Sequence, residues 1–187
     1  MPRVLVTTGG GSLGSPELRA ETDLALKRVL DLLACLAAQG KVSTVLVVPG
    51  EDATVPSRRP GDSAWLRVAS GPVPLTDLYA RHDLLITRAG RNTLAEAACC
   101  GIPTVVLPIT ADPYRADEHH DNVGAVASLP GMFTPWDWHD LDALLDSVQR
   151  ALEGAARGVR SARRRGNAAA AAFACRLLPG ACACAAN

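Results

Sequence analysis

Three short stretches of this 187-residue chain carry residue types that could hold a charged, hydroxyl-rich ligand. The first is Gly9-Gly10-Gly11-Ser12-Leu13-Gly14, between the apolar run RVLVTT and a helical pattern that opens on Ser15-Pro16-Glu17. A glycine turn lets backbone N–H groups approach a phosphate, and the dipole of the following helix adds partial positive charge. The stretch also fits GxGxxG. A dinucleotide site needs an acidic residue about 20 positions on, at the end of the second strand. Here the nearest acids are Glu51 and Asp52, beyond Pro49-Gly50, and that spacing is too long. A P-loop needs Lys and then Ser or Thr after its last glycine, and Ser15-Pro16 stands there instead. A plain tight turn remains open.

The second stretch is Ala89-Gly90-Arg91-Asn92-Thr93, again between an apolar run and a helical pattern, with Glu96 three residues further on. Its helix N-terminus would face the same crevice as the first, and two such poles make a diphosphate site without a metal. Glu96 has two readings. Thr93-x-x-Glu96 is a capping box that satisfies backbone donors with no ligand. A carboxylate there could instead accept hydrogen bonds from both hydroxyls of a ribose.

The third stretch runs from Asp112 to Asn122 and holds two histidines and four carboxylates. It suggests a metal cluster, but His119 and His120 are adjacent and would point apart, which does not suit zinc. No metal or other cofactor is expected. A solvated helix start with Asp117 or Asp121 as cap is one alternative. Hydrogen bonding of sugar hydroxyls by Glu118, His119 and Asn122 is another.

Composition sets the frame. Lys plus Arg, 19, equals Asp plus Glu, 19, so net charge argues neither for nor against a polyanionic partner. MPRVLVTTGG enters an apolar strand pattern at once, with no signal-peptide h-region, and no apolar run reaches the ~18–20 residues of a membrane span. A cytoplasmic protein is the expectation. The six cysteines include no CxxC pair, as expected of reduced thiols; Cys182-Ala-Cys184 has no nearby His or second pair for a metal. The arginines at 157, 160 and 163–165 read as a solvated helix, with contact to anionic lipid or a partner as the alternative.

The elements that must position these stretches alternate. Strands are expected at 3–8, 42–48, 65–69, 83–87 and 104–108, each apolar throughout. Helices are expected at 16–39, 74–80, 92–100, 122–128, 136–153 and 159–178, with polar loops at 49–63 and 110–122. On the first helix Leu18, Thr22, Ala25, Val29, Leu33 and Leu36 form the core stripe, and Arg19, Asp23, Lys27 and Asp31 a solvated face of i,i+4 pairs. Strands apolar on both faces and alternating with helices indicate a parallel sheet covered on both sides. The fold class is α/β: a single doubly wound Rossmann-like domain over residues 1–178, with 179–187 a disordered tail. In such folds ligands bind at the carboxyl ends of the strands, where all three stretches fall.

In their order, TGGGSLG at 8–14, TRAGRNTLAEAACCGIP at 87–103 and DEHHDN at 117–122, the motifs resemble the donor-binding C-terminal half of a GT-B glycosyltransferase of the MurG type. The middle motif is the specific one, and the likeness covers roughly residues 3–155. The resemblance implies a nucleoside-diphosphate sugar as donor, UDP-linked, and transfer with inversion. It implies that Ser12 and the amides of Gly10, Gly11, Leu13 and Gly14 meet the donor phosphates. Gly90, Arg91, Asn92 and Thr93 would meet them from the other side. Glu96 would hold the ribose, Glu118, His119 and Asn122 the donor sugar, and backbone groups near Pro72 and Val73 the base. Glu118 and His119 depart from the Gln-Gln or His-Gln of the family, and Pro72 has no N–H to give the base.

This chain starts at the first strand of the donor half. The expectation is therefore a subunit resembling those of split, two-chain GlcNAc transferases, whose membrane-anchored partner supplies the acceptor-binding half and the general base. No nucleic-acid partner is expected. A non-catalytic nucleotide-sugar scaffold and a UDP-sugar hydrolase using His119 or His120 are the alternatives.

Overall fold

The computed structural model describes residues 1–9, 14–57, 61–71, 73–111 and 113–157. Strands β1 (Arg3–Thr7), β2 (Thr44–Val48), β3 (Leu66–Val68), β4 (Leu84–Arg88), β5 (Thr104–Leu107) and β6 (Met132–Phe133) form one sheet in the order β3-β2-β1-β4-β5-β6. Every adjacent pair is parallel. The helices are α1 (Pro16–Ala38), α2 (Leu75–Tyr79), α3 (Arg91–Cys100), α4 (Pro113–Val126) and α5 (Leu141–Ala156).

Alternation along each strand divides the core in two. Val4, Val6, Leu84, Ile86, Val105 and Leu107 point to the face covered by α1 and α5. Leu5, Leu85 and Val106 point to the face covered by α2, α3 and α4. Burial of both faces is why these strands read as continuous apolar runs. Helix α1 starts as its sequence dictates: the Ser15 hydroxyl accepts from the Leu18 N–H at 3.1 Å, Pro16 takes the first helical position, and Gly40 ends it with φ of 69°.

Several expectations need correction. Residues 113–122 are helical, so the expected loop and the helix 122–128 are one helix, α4. Pro113 presets the first-turn φ, and the polar residues after it lie along the helix. Asp117 and Asp121 therefore sit inside it and cap nothing. Helix α5 starts at Leu141, not Trp136, because Asp140 is the cap: its Oδ1 accepts from the Asp142 N–H at 2.9 Å. Within the polar loop 49–63 a 3₁₀ turn forms at Asp62–Ala64. Of the charged ladder on α1, Lys27 and Asp31 pair along the helix at 2.8 Å. Arg19 reaches Asp52 at 3.9 Å, and Asp23 accepts from the Thr54 N–H at 2.9 Å. The helix expected at 159–178 and the tail lie outside the described residues.

Candidate functional site

Strand order reverses between β1 and β4. They pair side by side, Thr7 opposite Thr87, so their carboxyl ends leave the sheet together. The chain after β1 turns into α1 on one face, and the chain after β4 turns into α3 on the other. Such a divergence opens a crevice at the sheet edge with a helix N-terminus on each side.

The two turns are also packed together. Gly9 adopts φ of 87°, and a Cβ placed there would lie 2.9 Å from Nε of Arg88. Arg88, 8% exposed, thus lies directly beneath the first residue of the Gly-rich turn. On the other side the Gly50 N–H donates to the Thr8 hydroxyl at 2.7 Å. A Cβ on Gly50 would stand only 2.3 Å from the Gly9 carbonyl oxygen. Three strand ends therefore close on Gly9, and only glycine permits the last approach. Beside them opens a cleft of about 660 Å³ lined by Gly9, Val48, Gly50, Glu51, Val73 and Leu75, among others. That volume suits a small-molecule site. Val73 and Gly71 line it; Pro72 lies outside the described residues, as do Gly10, Gly11, Ser12 and Leu13. Gly14, with φ of 74°, leads into the Ser15 cap.

At the second turn the helix begins earlier than the Thr-x-x-Glu pattern suggests. Gly90 is the N-cap, extended at φ −75° and ψ 127°, and its carbonyl accepts from Leu94 N–H at 3.0 Å. Thr93 is then the third helical residue and Glu96 the sixth. Glu96 is too far along to reach the cap N–H, so the capping-box reading does not hold. Its carboxylate is exposed and accepts instead from the Tyr79 hydroxyl, 3.2 Å from Oε2. Arg91 and Asn92 are exposed at the helix start.

Helix α4 brings the third stretch to this turn. Asn122 Nδ2 donates to the Ala89 carbonyl at 2.9 Å, and Glu118 lies 3.9 Å from Arg91. His119 is 2% exposed, with Nδ1 bonded to the Ile109 carbonyl, whereas His120 is exposed. A carbonyl only accepts, so the proton sits on Nδ1. Among the described residues no group of three or more His, Cys, Asp or Glu could hold a metal.

Two residues that pattern reasoning passed over stand out. Arg88 is a cation at the end of an otherwise apolar strand, and that oddity was a visible signal. Tyr79 meets Glu96 only through the packing of α2 on α3, and no spacing rule links residues 17 apart across a strand.

The fold is that of a doubly wound, Rossmann-like domain, with its cleft at the carboxyl ends of β1, β2 and β3. Residues 4–152 match the glycosyltransferase family 28 C-terminal domain, and the chain belongs to that family, the C-terminal half of a GT-B glycosyltransferase. It is 38% identical over 93 residues to the UDP-N-acetylglucosamine--N-acetylmuramyl-(pentapeptide) pyrophosphoryl-undecaprenol N-acetylglucosamine transferase of Prochlorococcus marinus (strain MIT 9303), covering 50% of this chain and 23% of that one. With the transferase of the same name from Corynebacterium efficiens it shares 34% over 129 residues, 67% of this chain and 30% of that one. The chain thus spans less than a third of either curated relative. Among solved structures, the glycotransferase of kitacinnamycin superposes with a TM-score of 0.58 at 17% identity, covering 96% of this chain and 44% of that one. This likeness is one of fold. Among the described residues no helix is long and apolar enough to cross a membrane.

Proposed function

We infer that this domain binds a nucleoside-diphosphate sugar, UDP-linked, and serves as the donor half of an inverting glycosyltransferase. What carries the reading is the packing of Arg88 against Gly9, which holds the turns after β1 and β4 against each other at the strand-order switch point. The diphosphate would lie between the N-termini of α1 and α3. Negative charge develops there as the glycosidic bond breaks, and preorganised dipoles stabilise it without reorganising. These poles do the work, and the reading requires no metal. The ribose falls to Glu96, the base to the cleft beside Val73, and the sugar to Glu118, His119 and Asn122.

An acceptor hydroxyl would attack the anomeric carbon from the face opposite the diphosphate, which leaves as UDP while the hydroxyl proton passes to a general base. We place that base and the acceptor site on a partner polypeptide, through which the domain would sit at a membrane surface; the resemblance to split transferases supports this. Calorimetric titration with UDP, GDP, ADP and TDP tests the donor reading: UDP should bind, and failure of all four at millimolar concentration would end it. Sugar transfer by the purified single chain would refute the need for a partner.

A further inference from the structure

We propose that Tyr79 is a positioning residue that holds the Glu96 carboxylate in the orientation needed to grip a ribose. The inference rests on the donor-binding reading above and adds a residue to it. Glu96 lies on an exposed surface of α3, on a side chain with three rotatable bonds. Among the described residues its one hydrogen bond comes from Tyr79. Tyr79 is the opposite kind of side chain. Its ring is 1% exposed and packed in the core beneath α2 and α3, so its hydroxyl emerges from the core at a fixed point. Donation to Oε2 from that point fixes the carboxylate plane and leaves Oε1, with the second lone pair of Oε2, to accept from two neighbouring hydroxyls.

The same short helix joins this contact to the cleft. Leu75, at the start of α2, lines the cleft, and Tyr79, one turn on, reaches Glu96. A shift of α2 would therefore move both together. Burial, and after it the Glu96 charge, push the Tyr79 phenol above its ordinary pKa of 10.0, so it keeps its proton to donate.

The test is Tyr79→Phe, which keeps the buried ring and removes only the hydroxyl. Binding of UDP and of 2′,3′-dideoxyuridine diphosphate is measured by calorimetry in wild type, Tyr79→Phe, Glu96→Ala and the double variant, each checked for a cooperative melt. Tyr79→Phe should weaken UDP by about threefold to tenfold, the range for one hydrogen bond to a charged group, and leave the dideoxy compound unchanged. The double variant should bind UDP no worse than Glu96→Ala. Equal losses for both ligands would show a structural role and overturn the proposal. So would an unchanged UDP affinity in Tyr79→Phe beside a clear loss in Glu96→Ala. If neither wild type nor Glu96→Ala distinguishes the two ligands, the ribose role of Glu96 falls first, and the proposal with it.

Discussion

Gly50→Ala probes the joint that holds the crevice together. The added Cβ would stand 2.3 Å from the Gly9 carbonyl oxygen and 3.2 Å from the Thr8 hydroxyl oxygen. The first distance is more than about 1 Å short of a comfortable contact between carbon and oxygen. The atom it meets is backbone, so no side chain can swing aside. Either the β2 end or the Gly9 turn must move, and the 2.7 Å bond from Gly50 N–H to Thr8 is pulled with it. Overpacking of this kind costs about 1–3 kcal/mol. The reduced entropy of the unfolded chain offsets about 0.4–1 kcal/mol of that. The expected net loss is about 1–2 kcal/mol, read as a lower urea midpoint at unchanged slope. Because the displaced atom belongs to the Gly-rich turn, UDP affinity should fall by about tenfold, or about 1.4 kcal/mol. Gly124→Ala is the control: it lies in α4 with nothing within 4 Å of the added Cβ and should stabilise by about 0.5–1 kcal/mol. A Gly50→Ala variant with wild-type midpoint and wild-type UDP affinity would refute the claim that the β2 end buttresses the turn.

Ser15→Ala should lower stability by about 0.5–2 kcal/mol, because its hydroxyl caps α1, whereas Thr93→Ala, at a position that caps nothing, should stay within about 0.5 kcal/mol; urea unfolding compares them. Alkaline stability should depend on Tyr79. Its folded pKa lies above the ordinary 10.0, so its contribution is complete below pH 10 and is lost as pH rises beyond it, by at most about 1.4 kcal/mol per unit. Wild type should therefore lose more stability than Tyr79→Phe between pH 10 and 11, in matched denaturation series. UDP affinity should be the same in EDTA and in magnesium, since the helix poles supply the positive charge; a large gain with magnesium would count against a metal-free diphosphate site.

The sheet was legible because burial of both faces forces apolar runs such as TVLVV and LLIT, and those runs have few other uses. Strand β6 was not, since two residues at a sheet edge leave no period to detect. Helix α4 was missed for a different reason. Its sequence, PYRADEHHDNVGAV, is polar enough to read as a loop, yet nothing in it opposes a helix until Gly124, and Pro113 favours a start. The charged ladder on α1 misled in its own way. The residues were correctly placed on one solvated face, but the loop at 52–54 lies against that face and offers Arg19 and Asp23 partners no helical rule contains.

The doubly wound topology was readable from the alternation of apolar strands with helices, and the cleft in the structure lies at the carboxyl ends of β1, β2 and β3. The hydrogen-bond partner of Glu96 was not readable, and the reason is one of register. The pattern Thr-x-x-Glu names a capping box only if the threonine is the cap, and that depends on where the chain leaves its extended conformation. It does so at Gly90, three residues earlier, and this carries Glu96 past the first turn. A carboxylate there has no backbone donor to serve, so a specific partner has to account for its orientation. The partner is a tyrosine on another helix, supplied by tertiary packing. The observation that removes the cap therefore leaves the Glu96 carboxylate with a single side-chain hydrogen bond among the described residues, and its orientation depends on how α2 packs on α3.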